Sequence, residues 1–339
     1  MSIGGLLSEL DAIAAETAFS GVIRVDRVDE IEVAREYGLA HRGHEIANTL
    51  DTRFATASGA KGFTALTVVS LIEDGLLALA TTARSVLADD LPLIDDDVTV
   101  EHLLSHRSGI GDYFDEDLEQ ELSDYLLPVP VHELATTEQY LAILDGHPSK
   151  FAPGERFSYC NGGYVVLALI AERTSGVPFH ELVRQRVCEP TGMGDTAFLR
   201  SDELPGRTAA GYLEVEGLKT NVLHLPVRGS GDGGIYTTLA DMRAFWAALF
   251  AGRIVSKQSV AEMVRPRSEL PHETLPRRYG LGFWLHATTE TVFLEGSDTG
   301  VSFRSVHDPR ASLTYTVISN TTEGAWPLAR HLRDRLDQG

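Results

Sequence analysis

Cysteine is nearly absent: Cys160 and Cys188 are the only two in 339 residues. That excludes a disulfide framework and any zinc ribbon or redox CxxC pair, and two lone thiols read as reduced residues of an intracellular protein. Basic residues are also scarce, 29 against 49 acidic, for a formal charge of -20. Such a field repels phosphate backbones and anionic lipid at long range, so neither nucleic acid nor membrane is expected as a partner. Long apolar runs are missing too. The most apolar stretch, GYVVLALIA at 163–171, has the length of a buried helix and ends at Glu172 and Arg173. The first residues, MSIGGLLSELDAIAAETAFSG, lack a basic start and carry Glu9, Asp11 and Glu16 where a secretory signal is uncharged, so a cytoplasmic location is expected. With 14 Pro, 31 Gly and 23% charged residues, the chain is not disordered, collagenous or a coiled coil.

What remains is a globular protein of 43% hydrophobic residues, long enough for one large domain or two lobes. Residues 20–41 alternate like a hairpin turning around Val28 to Glu30. From Phe63 the spacing becomes helical, with Leu66, Val69 and Ile72 on one side and Gly75 as a stop. More helices are expected at 98–106, 136–145, 162–175, 179–187 and 238–251, strands at 280–288, 291–297, 301–308 and 312–320, and a closing amphipathic helix at 325–336. A terminal hairpin alone is marginal in water, so the strands of both chain ends are expected in one antiparallel sheet. The expected fold is therefore α+β, with residues 1–61 and 278–339 forming the sheet region and 62–277 a mostly helical one. The acidic residues Asp89, Asp90, Asp95, Asp96 and Asp97 read as a solvated loop.

Three short segments carry chemistry. In FATASGAKGFTAL, Ser58 and Lys61 stand three apart at the start of the buried helix, on one face of its first turn. A serine hydroxyl is a weak nucleophile until a base takes its proton, and a lysine can serve if its surroundings lower its pKa. The helix start adds N–H groups that favour an oxyanion. In FSYCNGGYVV, Tyr159 and Asn161 precede another apolar helix, where a tyrosine can relay protons and an amide can orient a lysine or a substrate. In LEGSDTGVSF, small residues at a strand end let a backbone approach a substrate closely. His102 and His106 lie four apart, but Leu103 stands where a zinc protease needs glutamate, and the glycine-rich lead at Asp232 has no following Lys-Ser/Thr for a phosphate loop. No metal and no cofactor is expected.

Taken in order, these segments resemble the penicillin-recognising serine hydrolases of the serine β-lactamase superfamily. The resemblance is greatest to the class C β-lactamase branch with its DD-peptidases, D-aminopeptidases and family VIII carboxylesterases. It extends over nearly the whole chain, through FSGVIRV, VTVEHLLSHRSGI, EPTGMGDTAF and SGDGGIYTTLADMRAFWAAL. It implies an active site in a cleft between sheet and helices and no metal. Ser58 would be the acylated nucleophile, Lys61 its proton acceptor or the partner that keeps Tyr159 basic, and Tyr159 the donor to the leaving group. Asn161 would hold the acyl portion. The oxyanion would sit between the backbone N–H of Ser58 and one on the third segment, where Glu295, Gly296 and Ser297 are the candidate substrate-binding residues. The third segment departs from the superfamily's Lys-Thr-Gly or His-x-Gly: depending on register, Leu294 or Glu295 takes the cation's place. That argues against efficient recognition of anionic penicillins or peptide C-termini. Glu295 either adds negative charge to the cleft and disfavours anionic acyl donors, or points away on the other face of its strand. The expected activity is hydrolysis of a small-molecule ester or amide. The alternatives are a β-lactamase or DD-peptidase, an acyltransferase, or a silent binding module.

Overall fold

A computed structural model describes residues 3–28, 30–117, 126–270 and 276–336. Its centre is an eight-stranded antiparallel sheet. The strands are β1 (Gly21–Arg27), β2 (Glu30–Tyr37), β3 (Ser268–Leu270), β4 (Arg277–Tyr279), β5 (Trp284–His286), β6 (Val292–Asp298), β7 (Val301–Asp308) and β8 (Leu313–Ser319). Their order across the sheet is β2-β1-β8-β7-β6-β5-β4-β3. The expected union of the two chain ends is the β1/β8 ladder, where Gly21 faces Ser319 and Arg27 faces Leu313.

Five longer helices cover the sheet: α1 (Ile3–Glu16), α2 (Ala60–Glu73), α3 (Asn161–Ser175), α4 (Leu239–Ala251) and α5 (Ala325–Leu336). Helices α1 and α5 close one face, where Leu6, Leu10, Leu328 and Leu332 pack with Ile23, Val25, Tyr315 and Val317. Helices α2, α3 and α4 close the other, where Phe63, Tyr164, Phe245 and Trp246 pack with Val22, Phe303 and Ile318. Burial on both faces is why every residue of β8 is buried. Helix α2 is buried on all sides through its first twelve residues, so its sequence shows little amphipathic contrast.

Three features differ from the expected pattern. The N-terminal stretch, weighed only as a leader, forms α1, with Leu6, Leu10 and Ala14 on the sheet. The C-terminal run of sheet strands starts at Ser268, ahead of residue 278. The single strand expected at 280–288 is interrupted: Gly282 has φ +84, and a Cβ there would lie 2.2 Å from Ala65 Cβ, so the chain bends against α2 before Trp284 resumes. Elsewhere the acidic loop is tied down by cations, since Arg84 pairs with Asp96 and Arg173 with Asp90.

Phe63, fully buried with its ring 4.8 Å from Phe245, is the test of this packing. Phe63→Ala should cost ~3–5 kcal/mol, read as a lower urea midpoint with an unchanged slope.

Candidate active site

Ser58 does not lie on α2 itself. It sits in the 3-10 turn Ala57–Gly59 that leads into the helix, and Ala57 before it adopts φ +45, a left-handed conformation that costs an alanine ~1–2 kcal/mol. Gly59 allows the turn to settle on the sheet, because a Cβ there would come 2.5 Å from the Phe303 ring. Lys61, in the first turn of α2, is 2% exposed. Its ammonium donates to Ser58 Oγ at 2.9 Å, to Asn161 Oδ1 at 2.8 Å and to the Asp232 carbonyl at 2.9 Å. Every N–H of the lysine is thereby matched by an oxygen, which is what a buried cation needs.

Tyr159 approaches from the other side. Its ring lies 4.8 Å from Lys61 Nζ, 4.3 Å from the His106 ring, and stacks on Trp284 at 5.9 Å. Burial pushes its hydroxyl well above the ordinary phenol range, as do the charges of Glu116, Glu295 and Asp232, while a hydrogen bond to Ser58 pulls it down. His106 is fully buried and held neutral, its pKa lowered by desolvation and by Lys61. Its Nδ1 accepts from the Cys160 N–H at 3.1 Å and so fixes the Tyr159–Asn161 loop. The two histidines thus have separate partners: His102 Nδ1 accepts from the Thr99 N–H at 3.3 Å within a helix cap.

The start of α3 is capped twice. Cys160 Sγ accepts from Gly163 N–H at 3.3 Å. Asp112 accepts from the N–H groups of Asn161 at 2.5 Å and Gly162 at 2.8 Å. Burial nonetheless pushes the Asp112 carboxyl up to about 6. Asn161, 6% exposed, therefore has its backbone fixed by Asp112, its oxygen by Lys61, and its Nδ2 by Glu116 at 3.0 Å.

The third segment runs along β6. Strand β5 pairs only with Val292 and Phe293, so from Leu294 to Asp298 that edge of β6 has no strand partner among the described residues. Gly296 brings this edge against the nucleophile turn: a Cβ there would stand 2.2 Å from the Thr56 carbonyl and 2.6 Å from Ser58 N. Leu294, on the same face, is buried against Gly62 of α2. Glu295 lies on the alternate face, ion-paired with Arg277 and, at 2.9 Å, with Arg304. Ser297 lines the same cavity as Ser58 and Asn161, a space of about 580 Å³.

Several residues of this cavity were not singled out from sequence. Tyr113 donates to the Asp232 carboxylate, and Glu116 and Asp298 line the wall. Asp232 was noted only as part of a glycine-rich lead. The signal there was the run GSGDGG, whose close approach is real: a Cβ on Gly231 would lie 2.0 Å from the Tyr164 carbonyl.

Comparison with known proteins agrees with this fold. The family model described as Beta-lactamase matches residues 8–339. A penicillin-binding protein of Bacillus halodurans has a solved structure that superposes with a TM-score of 0.89 at 33% identity, covering 96% of this chain and 100% of that one. A penicillin-binding protein of Bacillus subtilis is 26% identical over 92% of this chain and 70% of its own length, and an esterase of Burkholderia gladioli 30% identical over 62% and 56%. The chain spans between 44% and 70% of the length of the first curated relatives it matches.

Two substitutions test the supports of this site. Asp112→Ala leaves two buried N–H groups without an acceptor and should cost ~2 kcal/mol or more by urea unfolding, whereas Asp112→Asn, which keeps an acceptor oxygen, should recover part of that loss. Gly296→Ala should abolish turnover of any substrate accepted by the wild type, because β6 and the Ser58 turn must separate to admit the methyl group.

Proposed function

Because the chain belongs to the beta-lactamase family, whose model spans residues 8–339, we propose that it is a serine hydrolase that opens a small-molecule ester or amide through an acyl-Ser58 intermediate. The observation that carries this reading is the Lys61 ammonium, which joins Ser58 Oγ, Asn161 and the Asp232 carbonyl at the edge of a cavity. In the reactive state the Lys61–Tyr159 pair is one proton short, as amine or phenolate, and takes the Ser58 Oγ proton as that oxygen attacks the substrate carbonyl. The backbone N–H groups of Ser58 and Ser297, brought together by Gly296, receive the developing oxyanion. Tyr159 returns the proton to the leaving group, and water entering the same path then releases the acyl group. Asn161, fixed at both ends of its amide, orients Lys61 and the acyl portion.

The β-lactamase or DD-peptidase alternative is weakened by Leu294, since no cation replaces the one that binds a carboxylate in relatives. Glu295 does not restore a charge preference by itself, because Arg277 and Arg304 neutralise it. Both thiols are free and buried, which fits a reducing compartment.

Ser58→Ala should remove turnover and labelling by a fluorophosphonate probe while the fold is kept; wild-type rates in the folded variant would end the proposal. Lys61→Ala and Tyr159→Phe should each lower kcat/KM by at least about a hundredfold. The double variant should lose far less than the product of the two, because both act on one proton path.

A further inference from the structure

A separate space of about 560 Å³ opens beside the short helix Phe179–Val183 and the π turn Arg184–Cys188, and shares no lining residue with the cavity at Ser58. Its body is apolar. Pro178, Val183, Phe198 and Ile235 stand on the walls, and the Cys188 thiol there is kept neutral, pushed up to about 12 by burial. Two arginines near it are already matched: Arg184 pairs with Glu181 and Glu189, and Arg200 with Asp202 and Glu203. Arg228 is not. Its Nε–H donates to the Phe198 carbonyl at 3.0 Å, and its four terminal N–H groups meet no acceptor among the described residues. His180, whose Nε2–H donates to the Gly229 carbonyl at 2.7 Å, adds no charge, because burial first and Arg228 next hold it down at about 4. A half-buried guanidinium left open over an apolar floor is the anchor that a carboxylate uses.

We infer that this space is a second ligand site, which takes a small organic carboxylate: terminal N–H groups of Arg228 hold the carboxylate, and the hydrocarbon body lies on Phe198, Val183 and Ile235. The inference goes beyond the acyl-Ser58 reading and does not depend on it. Charge directs such a ligand here and not to the Ser58 cavity, whose wall carries Glu116, Asp232 and Asp298. A carboxylate is favoured over inorganic phosphate, because the walls offer one cation and much hydrocarbon. The site also borders the catalytic machinery. The chain lines the space at Arg228 and again at Ile235, and between them Asp232 gives its carbonyl to Lys61. Ile235 gives its own carbonyl to the N–H of Thr56 at 3.0 Å and to the Thr56 hydroxyl at 3.1 Å, two residues before Ser58. A ligand that spans Arg228 and Ile235 therefore steadies the run 228–235 and, through Thr56, the nucleophile turn.

Calorimetric titration compares benzoate and hexanoate with benzamide and inorganic phosphate, in the wild type, Arg228→Gln and Arg228→Lys. The carboxylates should saturate the wild type, and benzamide and phosphate should bind at least about tenfold more weakly. Arg228→Gln should weaken benzoate by a similar factor, while Arg228→Lys keeps part of the affinity. Capping Ser58 with the fluorophosphonate probe should leave benzoate binding in place. Bound benzoate should slow hydrogen exchange of the peptide that contains Thr56 in the wild type and not in Arg228→Gln, a change that needs no catalysis. Urea midpoints report whether the variants fold, and the benzoate-to-benzamide ratio of the wild type decides even where one does not. Equal affinity for benzoate and benzamide, full affinity in folded Arg228→Gln, loss of binding on capping Ser58, unchanged exchange at Thr56, or no saturation by either carboxylate at millimolar concentration overturns the inference. Failure of the probe to label Ser58, with Arg228-dependent binding intact, strikes the acyl-Ser58 reading and leaves this one standing.

Discussion

The site depends on one buried cation. Lys61 is closed off from water, and its Nζ is met by three oxygens from three separate segments: the Ser58 hydroxyl, the Asn161 amide and the Asp232 carbonyl. Each of those oxygens is fixed by something else. Ser58 rides on a strained turn pressed against β6, Asn161 is locked by Asp112, and Asp232 belongs to a glycine run seated on α3. The polar network is thus both the chemistry and the joint between the sheet and the helical region. A half-satisfied version of it would be worse than a plain apolar contact.

Family resemblance conceals a local rearrangement. On the third segment Leu294 packs into Gly62 and forms part of the core. Arg277 and Arg304 are held on the other face by Glu295, with Arg277 also 3.7 Å from the Trp284 ring. Trp284 in turn stacks on Tyr159. The two arginines thus stand on the Glu295 side of β6, and the carboxylates Glu116 and Asp298 line the cavity beside Ser58.

Much of this was legible in the sequence because the informative patterns are local. Alternation at 20–41 and small residues at LEGS gave strands, and Ser58, Lys61, Tyr159 and Asn161 sit in short motifs. Residues that act through tertiary contact left no such trace. Asp112 and Glu116 lie about fifty residues before the amide they hold, and Asp232 contributes through a backbone carbonyl, a group every residue has. The register of the third segment was ambiguous for the same reason: only the approach of Gly296 to Ser58 N shows which side chains face the helix. Helix α1 is legible in the helical spacing of Leu6, Leu10 and Ala14, a pattern that a test for an export leader does not read.

The pairing of β1 with β8 has a temporal consequence. Gly21 finds Ser319 only when almost all of the chain exists, and β8 is the strand on which β7 and then β6 are laid. Contacts this distant in sequence close slowly, since their loop entropy is lost before the ladder rewards it. A nascent chain therefore carries Ser58 and Lys61 for most of its synthesis without the β6 edge that would complete an oxyanion site. On the proposed acyl-Ser58 reading, nucleophile and oxyanion-binding backbone are united only once β6 has been made and laid beside the Ser58 turn, so topology withholds the chemistry from the unfinished chain.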